Sequence, residues 1–401
     1  MTMLLDIPQA AIPSSKTTQP GINAAATLSL IEWLTGDECH ALDEVGLVSG
    51  LGRHLQALGV PVDRLTLHLM TLHPEFIGRT FAWAPGEPIE IHDREHGRLQ
   101  TIANTPLQKA LETRETVIVG PGESRHGRWQ HIDVFAGRGL VQLMIAPLCN
   151  ADGPISSAAF GTKRPGGFTP AEQQVLARIL PALRTASELR VLRQCELSLL
   201  DTYIGPMTAS RILAGHIRRG EIESMDTALL LCDLRGFTEL SNQLPGNVVL
   251  GLLNAYFDKV VPAITREGGE VLKFMGDAVL AFFPGIDPAG ACNAALVAAS
   301  AILDDVEGFQ YDGIRIKVGI ALHYGEVSYG NVGAGNRLDF TLIGPDVNVV
   351  SRIQGICSES GEALLMSGCF CETARIANTA SIGTRKLKGF AEAVELFTVR
   401  D

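Results

Sequence analysis

A near-continuous apolar run, Thr227, Ala228, Leu229, Leu230, Leu231 and Cys232, stops at Asp233. A run of this length reads as a buried strand, so the carboxylate at its end is held by a rigid element. Gly236 follows three residues later, where a small residue lets the backbone turn closely and leaves amide groups available to phosphate oxygens. Further on, Gly268 to Phe283 reads as two apolar strands around a Gly276-Asp277 turn, with Asp277 at the hairpin tip. If that hairpin lies beside the first strand, Asp233 and Asp277 converge. Two carboxylates with little else nearby suit a hard cation such as magnesium, whose other ligands come from water and phosphate. Taken singly, each feature is ordinary: an Asp at a strand end is usually a cap, and a Gly-Asp tip is usually only a turn.

Between these pieces, Val249, Leu252, Leu253, Tyr256, Phe257, Val260 and Ile264 mark the core face of a helix. Lys273 is expected on one strand face with Val271 and Met275, where a Lys must be paired, snorkelling or functional. Asp287 and Pro288 start a second helix whose apolar run, Ala289 to Leu303, is too short for a bilayer span of about 20 residues. Leu338 to Gly344 is a strand, followed by a helix on which Asn348 and Arg352, four apart, share a face.

In order, Asp233-Leu234-Arg235-Gly236-Phe237-Thr238, Lys273 to Asp277, Thr341 to Asn348, and Arg352 closely resemble the class III adenylyl and guanylyl cyclase catalytic domain. The resemblance runs from about Asp226 to Val399. It implies an α+β fold with a ferredoxin-like βαββαβ core, a mostly antiparallel sheet, and a homodimer with the active site across the interface. It implies cyclisation of ATP to cyclic AMP and pyrophosphate with two magnesium ions per site, manganese being the substitute. Asp233, Leu234 and Asp277 match the metal set. Asn348 matches the ribose-orienting residue, Arg352 the residue that stabilises charge on the α-phosphate, and Lys388 the triphosphate lysine. Gly236, Phe237 and Thr238 join the substrate-binding set. Lys273 and Thr341 match the base-reading pair. Adenine offers an acceptor at N1 and an amino donor at C6, which a Lys donor and a Thr acceptor complement. Adenylyl members commonly carry Asp where Thr341 stands. A guanylyl cyclase, or an inactive nucleotide-binding module of the same fold, is the alternative.

The N-terminal half alternates differently. Glu32 to Leu58 reads as helix, Leu65 to Met70 as a strand with Thr80 to Trp83 as partner, and Val141 to Pro147 and Ser156 to Phe160 as strands around a turn at Asn150 to Gly153. Thr169, Pro170 and Glu172 form the cap, first residue and capping box of a long helix. With Gly161 to Phe168 ahead of that helix, the order resembles a GAF sensor domain, and a PAS domain has a similar outline. The expected division is a leader over 1–25, a sensor over 26–195, a helical connector over 196–225 and the cyclase domain over 226–401. Leu192 and Leu199 continue the long helix at a seam-like spacing. The sensor ligand is unknown. His68, His73, His92 and His96 have no metal-ligand spacing, and Arg125 to Arg128 has no assigned role.

The chain of 401 residues is 46% hydrophobic and 19% charged, with a formal net charge of −11. That balance argues against a nucleic-acid partner, which would select a basic surface. Eight cysteines lack zinc or disulfide spacing, and the N-terminus lacks a signal peptide's basic start and apolar core. The expectation is a cytoplasmic protein without a membrane span.

Overall fold

The computed structural model describes residues 24–96, 103–120, 129–130, 132–148, 156–285 and 287–400. Residues 1–23 of the leader, the Asn150 to Gly153 turn and Arg125 to Arg128 lie outside the described residues. The chain divides into two compact units, 1–199 and 200–401.

The first unit begins with α1 (Ala24–Thr35), α2 (Asp37–His40) and α3 (Glu44–Ala57). The single helix expected over Glu32 to Leu58 is therefore broken. Gly36 interrupts it, and Asp43 starts α3 afresh by accepting a hydrogen bond from Gly46 N at 2.7 Å. Next come β1 (Arg64–Met70), β2 (Phe76–Trp83), β3 (Glu90–Glu95), α4 (Pro106–Thr113), β4 (Val117–Val119), α5 (Ile132–Gly137), β5 (Gln142–Leu148), β6 (Ser156–Thr162) and α6 (Pro170–Ile204). The strands form an antiparallel sheet in the order β3-β2-β1-β6-β5-β4. Leu30, Leu34, Leu47 and Leu51 from the first helices, Leu65, Leu67 and Phe160 from the sheet, and Leu176, Ile179 and Leu183 from α6 share one core. The capping box forms: Thr169 N donates to Glu172 Oε2 at 2.7 Å, and Glu172 N donates to Thr169 Oγ1 at 3.3 Å.

His68 is partly buried on β1, and its Nδ1 meets Thr80 Oγ1 at 2.8 Å. Burial, then the nearby Arg94 and Arg64 charges, hold its pKa near 3 instead of 6.5. The folded chain thus binds fewer protons than the unfolded chain between those values, and stability falls as the pH drops through that window. The first unit is expected to lose up to about 2 kcal/mol of stability from pH 7 to pH 5. His68→Gln should flatten that dependence in denaturant melts, and an unchanged slope would place the histidine in a wetter setting.

The second unit contains α7 (Pro206–Leu213), β7 (Ile222–Leu234), α8 (Phe237–Gln243), α9 (Gly246–Arg266), β8 (Glu270–Met275), β9 (Ala278–Pro284) and α10 (Pro288–Val306). It continues through β10 (Gln310–Tyr311), β11 (Ile314–Arg315), β12 (Val318–Ala334), β13 (Arg337–Ile343), α11 (Pro345–Ser360), β14 (Leu364–Ser367), α12 (Gly368–Ala374), β15 (Thr379–Lys386) and β16 (Ala393–Val399). The sheet order is β15-β16-β14-β12-β7-β9-β8, with β13 paired to β12. Within it, β12-β7-β9-β8 is the antiparallel 4-1-3-2 order of a ferredoxin-like core.

β7 starts at Ile222, earlier than the apolar run suggests, because Ile222 to Asp226 pair with Glu326 to Gly330 of β12. The alternating sheet residues split between two cores. Ala228, Leu230 and Cys232 pack with α9 and α10, while Leu229 and Leu231 pack with α11. By length and composition α9 and α10 could each span a membrane. Here each buries one side in the core, through Leu252, Tyr256 and Val260 of α9 and Cys292, Ala295 and Ala299 of α10.

Candidate active site

Strand alternation puts Asp233 on the side of the sheet that carries Leu229 and Leu231, at the C-terminal end of β7 opposite Gly319. Asp277 sits in the turn between β8 and β9, and β9 lies beside β7. The two carboxyls converge. Burial, then the hydrogen bond and negative charge of Asp277, raise the Asp233 pKa from 3.8 to about 7, against the opposing pull of Leu234 N–H and Arg235. Asp233 Oδ1 is buried and has no hydrogen-bond partner among the described residues. A buried, unpartnered carboxylate oxygen beside a second carboxyl is a poor arrangement on its own and a good one around a divalent cation. Among the described residues no group of three or more His, Cys, Asp and Glu could hold a metal. Two carboxyls offer hard oxygen donors, which suit an ion that draws the rest of its shell from water and phosphate. Leu234 buries its side chain in the core, which leaves only its main chain for any role beside the carboxyls.

After Asp233, Gly236 adopts φ +70°, and α8 begins at Phe237. Phe237 leans on the core, and Thr238 is exposed. Arg235 ties the strand end to the last turn of α11 and the segment after it, donating through Nη2 to Cys357 Sγ and to Glu362 O.

Lys273 departs from expectation. A bulge follows Val271, so Val271 pairs with Ala281 while Lys273 pairs with the next residue, Leu280. Adjacent partners point to opposite faces, and Lys273 shares a face with Met275 but not with Val271. Its Nζ donates to Asp339 Oδ2 at 2.6 Å. This contact brings β13 over β8, and a run of rings from Phe282 to Tyr329 (5.6 Å) and Tyr329 to Phe340 (5.1 Å) supports the same curl of the hairpin. Phe340 and Leu342 pack inward, so Asp339 and Thr341 share the other face of β13. Asp339 is not legible as a site residue from the sequence; its two-residue spacing from Thr341 is the one signal.

Asn348 and Arg352 lie on the exposed side of α11, whose inner side buries Val349, Val350 and Ile353. The start of α11 is anchored by Asp346. Its Oδ1 meets His323 Nε2 at 2.9 Å, and its Oδ2 accepts from Glu326 N at 3.0 Å. Further along, Gln354 Nε2 donates at 3.0 Å to the carbonyl of Gly319, the pairing partner of Asp233. Lys388 is exposed in the turn after β15, beside buried Leu387.

Residues 221–373 match the family model for the adenylate and guanylate cyclase catalytic domain. The C-terminal unit carries a class III cyclase catalytic domain. Similar proteins include an adenylate cyclase from Anabaena cylindrica, 31% identical over 194 residues that cover 46% of this chain and 39% of that protein. Adenylate cyclase 1 of Rhizobium meliloti (strain 1021) is 28% identical over 47% of this chain and 29% of its own length. The chain thus spans well under half the length of these curated relatives. A bacterial light-regulated adenylyl cyclase structure aligns over 44% of this chain and 91% of that one, at 28% identity and a TM-score of 0.40. A guanylyl cyclase crystal structure aligns over 44% and 92%, at 28% identity and a TM-score of 0.36. In the cyclase domain, βαββαβ order positions the strand end, the hairpin tip and α11 as rigid carriers of the candidate residues.

Proposed function

We propose that the protein is an adenylate cyclase that converts ATP to 3′,5′-cyclic AMP and pyrophosphate. The convergence of Asp233 and Asp277, with one buried oxygen lacking a partner, is the observation that carries this reading. Asp233, Asp277 and the Leu234 main chain would hold two magnesium ions. Bound magnesium eases formation of the 3′-alkoxide and neutralises the leaving pyrophosphate. The 3′-oxygen forms a bond to the α-phosphorus, the bond from that phosphorus to the bridging oxygen breaks, and the 3′-hydroxyl proton is released. Asn348 orients the ribose, and Arg352 faces the charge that develops on the α-phosphate, a role typically contributing about 2.7–4 kcal/mol. Lys388 holds the triphosphate, and Gly236, Phe237 and Thr238 border it. Lys273 donates to adenine N1, and Thr341 accepts from the amino group.

The cyclase domain acts as a homodimer. Met275 on β8, Val332 on β12 and Ile343 on β13 leave apolar side chains uncovered on the strands that carry Lys273 and Thr341. Uncovered side chains of this kind favour a partner surface. The N-terminal unit is a GAF-like sensor for a small ligand, regulating the cyclase domain through the helical segment.

Purified full-length protein is expected to turn over ATP at least about tenfold more efficiently than GTP, because a Lys donor opposes the guanine N1–H. EDTA should remove activity, and magnesium or manganese should restore it. Faster GTP turnover would overturn the base assignment, and metal-independent turnover would overturn the mechanism.

A further inference from the structure

We propose that Asp339 is a positioning residue for nucleobase recognition that acts through Lys273, an inference that rests on the base-reading role assigned to Lys273 above. The two side chains meet at 2.6 Å, from Lys273 Nζ to Asp339 Oδ2. Lys273 is mostly covered, with 27% of its side chain exposed, whereas Asp339 is 69% exposed. An ion pair this open contributes little to stability, so a tether for the β12–β13 hairpin is a poor account of it. The rings of Tyr329 and Phe340 already hold that hairpin.

The chemistry fits a different role. A lysine carries three N–H donors, no acceptor and a flexible stem with high rotamer entropy. Left free, it would sample many directions and lose that freedom when it met a base. Held by Asp339, it spends one donor and keeps two, with its ammonium fixed beside the strand face that carries Thr341. Pre-ordering of this kind improves binding without new contacts to the ligand. With donors and no acceptor, the lysine head favours an acceptor at the base edge. Alternation along β13 makes the arrangement specific. Asp339 and Thr341 share one face because Phe340 and Leu342 occupy the other. The strand therefore presents a lysine-orienting carboxylate and a hydroxyl in succession along one edge of the base.

The test is steady-state kinetics on the full-length chain with ATP and GTP. Asp339→Asn is expected to raise the KM for ATP about tenfold, to leave kcat within about threefold, and to lower the ATP-to-GTP preference about fivefold. Asp339→Glu should restore at least half of the lost efficiency, since it returns the charge. Lys273→Ala should show a similar or larger loss, and the double variant should be no worse than Lys273→Ala alone. If Asp339→Asn aggregates, Asp339→Ser replaces it in the same cycle. A wild-type KM and preference in the Asp339 variant, a lowered KM, or losses that simply add to those of Lys273→Ala would each overturn the proposal. If Lys273→Ala itself leaves KM and preference unchanged, the base-reading role of Lys273 fails first. If Lys273→Ala has its effect and Asp339→Asn has none, only the role of Asp339 fails.

Discussion

Replacing Asp233 or Asp277 with alanine is expected to lower cyclase turnover by at least about 10³-fold, because each change removes half of the proposed two-carboxylate cation site, whose ion would stabilise charge in the transition state. The folded state should survive, and the reason is electrostatic. Asp233 is partly buried beside Asp277, and both burial and that neighbour push its pKa up to about 7. A carboxyl whose folded pKa is raised binds more protons folded than unfolded, so at neutral pH its ionised form opposes folding. Its Oδ1 also lacks a hydrogen bond. Removing such a group relieves a cost, and the melting temperature of the second unit should hold or rise. Activity assays and thermal melts on the same preparations check the pair of outcomes. A variant that keeps near-normal magnesium-dependent turnover would take that carboxylate out of the site. A variant that loses activity only because it unfolds would show that the two aspartates are structural.

Magnesium should also act on stability differently in the two proteins. A ligand that binds only the folded state raises its stability in proportion to the logarithm of its concentration over the dissociation constant. The wild-type second unit should therefore gain melting temperature as magnesium is added, and the Asp233→Ala protein should not.

What could be read from the sequence follows from what is local. The Thr169–Glu172 capping box, the Asp287 cap of α10 and the Gly276-Asp277 turn each depend on neighbours within a few residues, and each forms as written. Asp233 was locatable because a buried strand has a recognisable end, and its meeting with Asp277 required only that the hairpin lie beside that strand. Features set by distant partners were hidden. β7 extends back to Ile222 only because β12 supplies Glu326 to Gly330 as partners. The bulge after Val271 parts Lys273 from the face of Val271, and nothing in Val271-Leu272-Lys273 announces it. The break at Gly36 competes with an apolar pattern that runs straight through it, and the Asp43 cap wins. Asp339 belongs to the same class: its significance comes from a contact with a residue 66 positions away.

Mixing two dead chains should revive the enzyme. On the proposed roles, Asp277→Ala lacks a metal carboxylate, and Arg352→Ala lacks the charge that faces the α-phosphate. In a homodimer whose sites draw these groups from opposite chains, a mixed dimer holds one site with both defects and one with neither. Random re-pairing makes half of the dimers mixed, and half of their sites intact, so about a quarter of wild-type activity should return. The geometry of the chain favours such sharing. Asp233 and Asp277 meet at a strand end and a hairpin tip, whereas Arg352 stands on the exposed side of α11 with no ion pair among the described residues. A guanidinium left open to solvent has its charge available to a neighbouring chain. The exposed apolar side chains of Met275 and Ile343 offer contacts for that chain. Mass spectrometry of differently tagged chains would establish that exchange occurred. With exchange shown, recovery near a quarter supports a site built from two protomers. No recovery would mean that each chain completes its own site, and Arg352 would then have to reach Asp277 within one protomer.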